Sequence, residues 1–228
     1  MGSSVELTAS DGHQLDMYLA MPEGTPKGAV LICPEIFGIN SHIRAVADEY
    51  AKAGYIVGAP ALFDRVQRKY EAGYERSDVE AGIAIMQQIV MADALDDTHA
   101  GIEYLRQLHP KVAVIGYCWG GTVAWVSAAH LPYLNAVVAY YPGGLIANAE
   151  LKPQCPTMLH LGEHDPNPPA DAVRTVMAEH PTVMTYFYDA GHGFNCDQRP
   201  SYAKDAAKTA TERTLAFLDL NAARWMIA

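Results

Sequence analysis

The sequence predicts an α/β fold in which helices cover both faces of a mostly parallel sheet. Three observations predict it: short uninterrupted apolar runs of strand length, helical periodicity between them, and glycine or proline at the joins. A run that is apolar on both sides of its pleat belongs in a sheet buried on both faces, and right-handed crossovers place the intervening helices there. With 228 residues, 50% hydrophobic and 18% charged, the chain has the size and composition of a single packed domain spanning 1–228.

The elements follow in order. Segments 5–9 and 14–20 flank Ser10-Asp11-Gly12-His13, a turn signal that makes them an antiparallel hairpin. Segment 29–33 is the first buried strand. A helix capped by Asn40 or Ser41 carries Ile43, Val46, Ala47 and Tyr50 on one face and stops at Gly54, and 55–59 is the next strand. Charged and aromatic residues dominate 62–78, which reads as a lid-like loop. Segment 79–108 reads as helical with an interruption near 93–97, and 111–116 is another buried strand leading to a helix over 122–130. Strand-like runs recur at 136–141, 157–161 and 183–188, with a helix at 170–179 and a final one at 202–220. Met1 to Ser4 carry no weight in this reading.

Charge and cysteine content narrow the function classes. Sixteen basic against 26 acidic residues give a net charge of -10, which repels phosphate backbones and anionic membrane surfaces. Neither a nucleic-acid nor a membrane partner is expected. The four cysteines show no CxxC pair or zinc-finger spacing, so disulfides and structural zinc are disfavoured. With no signal-like N-terminus and no apolar run of membrane-spanning length, a reducing cytoplasm is the expected location.

The sharpest local signal is Val112-Ala-Val-Ile-Gly-Tyr-Cys-Trp-Gly-Gly121. A buried strand entering Gly116-x-Cys118-x-Gly120 and then a small-residue helix has the form of a nucleophile elbow, with cysteine in the usual serine position. The helix N-terminus would favour thiolate at Cys118. A free cysteine is more often a small buried hydrophobe. Here, however, two further strand ends carry matching chemistry: Gly162-Glu-His-Asp165-Pro166 and Asp189-Ala-Gly-His192-Gly-Phe194. Nucleophile, acid and histidine thus fall in the chain order of α/β-hydrolases, each beyond a strand. His192 is the expected general base and acid, and Asp165 its orienting carboxylate, preferred over Glu163, which lies within the strand end. The loop Cys33-Pro34-Glu35-Ile36-Phe37-Gly38 follows an early parallel strand. The backbone N–H groups of Ile36 and Trp119 are therefore the expected oxyanion hole. Glu35 places a carboxylate beside that hole.

Together, Glu35-Ile-Phe-Gly, Gly116-Tyr-Cys-Trp-Gly-Gly, Asp165 and Ala190-Gly-His-Gly-Phe resemble the dienelactone hydrolase (carboxymethylenebutenolidase) family, from about Leu15 to Leu218. The resemblance implies an α/β-hydrolase fold, a Cys118, His192 and Asp165 triad, and a Glu35 that interacts with the thiol and helps generate thiolate. It also implies hydrolysis of a carboxylate-bearing lactone in the breakdown of chlorinated or simple catechols; two-step acyl transfer through a thiolate requires no metal or organic cofactor. Family members bind that carboxylate with arginines, one from the lid and one four residues beyond the histidine. Here the second position is Cys196, so Arg199 is the candidate substitute and Arg65, Arg68 and Arg76 are lid candidates. The altered acid site leaves a broader carboxylesterase with the same triad as one alternative, and Cys118 as a merely oxidisable thiol in a non-catalytic redox-responsive protein is another. A small lactone or ester is the expected partner, and nothing in the sequence speaks to oligomeric state.

Overall fold

A computed structural model describes residues 2–222 of the chain. Met1 and 223–228, the ends of the expected 1–228 domain, lie outside the described residues. Strand β1 (Ser3–Thr8) pairs antiparallel with β2 (Gln14–Ala20), as the turn chemistry predicts, and Gly12 supplies the positive φ of 88° between them. The remaining strands are β3 (Gly28–Cys33), β4 (Tyr55–Pro60), β5 (Val112–Tyr117), β6 (Ala136–Tyr140), β7 (Thr157–Gly162) and β8 (Met184–Tyr188). They complete an eight-stranded sheet in the order β1-β2-β4-β3-β5-β6-β7-β8, and β4 to β8 and β3 are mutually parallel.

The helices are α1 (Ser41–Lys52), α2 (Arg76–Met86), α3 (Met91–Leu108), α4 (Trp119–His130), α5 (Ala170–Met177) and α6 (Lys204–Asn221). Strand residues split alternately between two cores, because successive side chains point to opposite faces. Ala29, Leu31 and Cys33 join Val112 and Val114 against α3 and α4, whereas Val30, Ile32, Ala113 and Ile115 face α1 and α6. This alternation is why the central strands read as unbroken apolar runs. The α/β-hydrolase architecture is thus present, with helices on both faces.

Three boundaries differ from expectation for identifiable reasons. The helical stretch breaks at 87–90, between α2 and α3, and not near 93–97. Acidic residues there do not interrupt α3: Asp93 lies in its first turn, where the dipole favours anions, and buried Asp97 is gripped by Arg65. Helix α4 starts at Trp119, three residues before Thr122, because the elbow feeds it directly. Of the loop expected over 62–78, residues 76–78 belong to α2. Asn40 caps α1 by accepting from the Ile43 N–H at 3.2 Å.

Candidate active site

The chain runs from β3 to β4 on one side and then to β5 on the other, so the order reverses between β3 and β5. Crevices at such reversals, beyond the carboxyl ends of the strands, are where sheets of this type bind ligands. Loops after β3, β5, β7 and β8 meet there and bring Ile36, Cys118, Asp165 and His192 together.

Cys118 sits between β5 and α4 with φ 57° and ψ -117°, a left-handed conformation that costs a side-chain-bearing residue about 1–3 kcal/mol. Its N–H bonds Tyr140 O at 3.0 Å. The flanking glycines are required by contact: a Cβ on Gly116 would lie 1.9 Å from Gly120 O, and one on Gly120 2.2 Å from Cys33 O. Cys118 is half-buried and lies at the N-terminus of a twelve-residue helix.

His192 Nε2 lies 3.1 Å from Cys118 Sγ, and His192 Nδ1 lies 2.8 Å from Asp165 Oδ2. The second oxygen of Asp165 accepts the Asn167 N–H at 2.8 Å, which fixes the carboxylate with both oxygens occupied. Burial opposes charge on His192, but the hydrogen bonds and negative charge of Asp165 and Cys118 outweigh it and raise its pKa to about 10. His192 is thus placed to hold a proton beside the Cys118 sulfur. Glu163, the rival acid, points away to Arg174. His164 is likewise exposed, against Asp189.

A cavity of about 480 Å³ opens over Cys118. Ile36 and Trp119 both line it, and the Trp119 N–H, first in α4, has no intrahelical acceptor. Phe37, Val79, Ile83 and Met86 give it an apolar lining, which Thr122, Asn167, Gly143 and Gly144 complete. Of the lid-like segment, no residue in 62–78 lines the cavity; α2 contributes Val79, Ile83 and Met86. Phe63 and Tyr70 stack on each other at 5.6 Å within the segment.

The arginines separate clearly. Arg65 is committed to Asp97 at 2.8 Å and Asp11 at 2.7 Å; Arg68 reaches Gln14 O and Asp16; Arg76 is exposed against Glu80. None of these three lines the cavity; carboxylates or backbone carbonyls hold each of them. Arg199 alone of the four lines the cavity, and it donates to Glu35 Oε1 at 3.1 Å. Glu35 is 1% exposed and bonds this arginine, while the hydrogen-bond partner of the Cys118 thiol is His192. Cys196 is fully buried behind Glu35, and burial pushes its thiol up to about 11.

Sequence reasoning missed Tyr141, whose ring centroid lies 5.0 Å from that of His192, and the wall residues Asn167, Gly143 and Gly144. The signal was there: Tyr141-Pro142-Gly143-Gly144 is turn punctuation directly beyond a strand end.

Comparison with known proteins matches residues 15–221 to the pattern of the dienelactone hydrolase family. The chain belongs to the dienelactone hydrolase family. Carboxymethylenebutenolidase 1 of Cupriavidus pinatubonensis is 30% identical over 228 residues, 96% of this chain and 97% of that one. The carboxymethylenebutenolidase of Pseudomonas putida is 28% identical over 236 residues, 94% of each. A crystal structure from Klebsiella pneumoniae, provisionally named a dienelactone hydrolase, superposes with a TM-score of 0.78 at 27% identity, covering 95% of this chain and 98% of that one. Dienelactone hydrolase membership makes this chain a hydrolase of esters or lactones, with a small-molecule substrate. No helix among the described residues is long and apolar enough to cross a membrane.

Proposed function

We propose that this dienelactone hydrolase family member cleaves its ester or lactone by two-step acyl transfer through Cys118. The continuous contact from Asp165 through His192 to the Cys118 sulfur carries the reading. The thiolate attacks the carbonyl carbon, and the oxygen's developing charge rests on the Ile36 and Trp119 N–H groups. Collapse breaks the ester C–O bond, His192 hands its proton to the leaving alkoxide, and a thioester remains. Water then gives a proton to His192 and its hydroxide to the acyl carbon; the thiolate departs and the acid is released. No other reactant is consumed.

The cavity favours a largely apolar acyl group with at most one anionic substituent, since Arg199 is the arginine available there and Glu35 shares it. This keeps a neutral ester and a carboxylate-bearing lactone both within reach. The test is hydrolysis of a dienelactone and of an aryl acetate by wild type, by iodoacetamide-treated protein and by Cys118→Ala. Alkylation and Cys118→Ala should abolish both activities, while Cys155→Ala keeps them. Undiminished turnover by Cys118→Ala would overturn the proposal.

A further inference from the structure

Next to the Cys118 site lies a second cluster, tied to it through the bond between Glu35 and the cavity residue Arg199. Glu35, His42 and Cys196 are all buried, and one ligand atom from each lies within 4.8 Å of the others. The three come from separate parts of the chain: the loop after β3, the first turn of α1 and the segment beyond His192. Two of their polar atoms stand buried without a hydrogen-bond partner among the described residues, Glu35 Oε2 and His42 Nε2. Such orphans are rare, because each forfeits the desolvation cost of a polar group, about 1–3 kcal/mol.

We infer that Glu35, His42 and Cys196 form a binding site for a borderline divalent cation of the zinc(II) type, with Cys196 Sγ, His42 Nε2 and Glu35 Oε2 as ligands. The donor set selects the ion: one thiolate, one imidazole and one carboxylate suit zinc, whereas all-oxygen sites suit magnesium or calcium. Tetrahedral zinc with bonds of about 2.0–2.3 Å holds its ligand atoms roughly 3.3–3.7 Å apart, so side-chain adjustments of about an ångström close the site. The proton of the Cys196 thiol leaves to water as the metal–sulfur bond forms.

The surroundings are those of a metal-bound histidine. His42 Nδ1 faces Asp197 Oδ1 at 3.2 Å, so the carboxylate sets the tautomer that leaves Nε2 free to ligate. The other oxygen of Glu35 stays on Arg199, which keeps that carboxylate oriented. A separate open groove of about 370 Å³, lined by His42, Asn195 and Asp197 and carrying Glu49 and Glu212 as well as Lys204 and Lys208, reaches His42. A fourth position remains for water.

The experiment titrates the full-length protein with cobalt(II) and follows the thiolate-to-cobalt absorption in the near ultraviolet. One equivalent should develop the band and zinc(II) should displace it. The band should persist in Cys118→Ser and disappear in Cys196→Ser and His42→Gln. Absence of a band in wild type overturns the site, and so does a band lost in Cys118→Ser but kept in Cys196→Ser, which places the metal on the Cys118–His192 pair. Asp197 is exposed, so Asp197→Asn decides even if the buried variants misfold: its cobalt affinity should fall by about 10–100-fold, and an unchanged affinity overturns the proposal.

Discussion

Arg199 Nη1 reaches the cavity wall while bonded at 3.1 Å to Glu35 Oε1, so the one cavity arginine is already held by a carboxylate 1% exposed. A substrate anion must share that guanidinium with Glu35. Glu35→Gln removes the competing charge and should raise the ratio of kcat/KM for a carboxylate-bearing lactone to that for a neutral aryl ester, whatever it does to either rate. Arg199→Ala should lower the same ratio at least tenfold, the loss of one charge-assisted contact of about 1.5–3 kcal/mol. Steady-state kinetics on both substrates check this, and a ratio unmoved by either change removes Arg199 from substrate recognition.

The same pair makes a stability prediction. Deleting one partner of a buried ion pair strands the other, at a cost of about 3–5 kcal/mol, whereas replacing both by apolar groups is close to neutral. Because Arg199 keeps 19% of its side chain in water, the lower end applies. Urea unfolding should show Arg199→Ala clearly destabilised and Glu35→Gln/Arg199→Met recovering most of the loss. An additive double-mutant cycle counts against coupling.

Asp165 uses one oxygen on the Asn167 N–H and the other on His192 Nδ1. Asp165→Asn keeps the first bond but presents His192 with a group that cannot support the imidazolium. Turnover should fall by about 10³–10⁴-fold with the fold intact by circular dichroism. Glu163→Gln, which disturbs only an exposed contact to Arg174, should stay near wild type. The reverse pattern would make Glu163 the functional acid.

The readable parts of the sequence were those where local chemistry sets geometry. Gly116-x-Cys118-x-Gly120 demands its elbow because any Cβ would strike backbone, and the β3, β5 and β6 runs are apolar because both faces are covered. The unreadable parts were long-range charge pairings. Nothing near Arg65 in sequence says that Asp97 will take it, and the same pairing made 93–97 look like a helix break when it is a helix anchor. The cavity wall from α2 was hidden similarly, because Val79, Ile83 and Met86 also fit an ordinary buried helix face.

Cys118 carries a backbone cost that its chemistry requires and its packing does not. At φ 57° and ψ -117° glycine is unstrained, whereas alanine keeps the Cβ and its strain. Cys118→Gly should therefore be inactive yet more stable than Cys118→Ala, by about 1 kcal/mol in urea unfolding. Equal or lower stability of the glycine variant would mean that the elbow is relaxed around its side chain.

His160 sets the acid limit of the fold. Its ring is fully buried between the Tyr188 hydroxyl at 2.8 Å from Nδ1 and Thr214 Oγ1 at 3.0 Å from Nε2, partners that a neutral imidazole satisfies by donating once and accepting once. Burial, helped by the nearby positive charge of Arg213, lowers its pKa to about 3. The unfolded chain takes up that proton below about pH 6.5 while the folded chain refuses it, so stability is complete above pH 6.5 and drains away towards pH 3. Each pH unit in that window removes about 1.4 kcal/mol, or roughly 2 kcal/mol between pH 6.5 and 5. His160→Gln keeps a donor and an acceptor but has no proton to gain, so its stability should fall less steeply over the same range. Urea unfolding of both proteins at pH 7 and pH 5 isolates the effect, because other titrating groups are common to the pair. If the difference in stability between them is the same at the two values, His160 is not the group that limits the fold in acid.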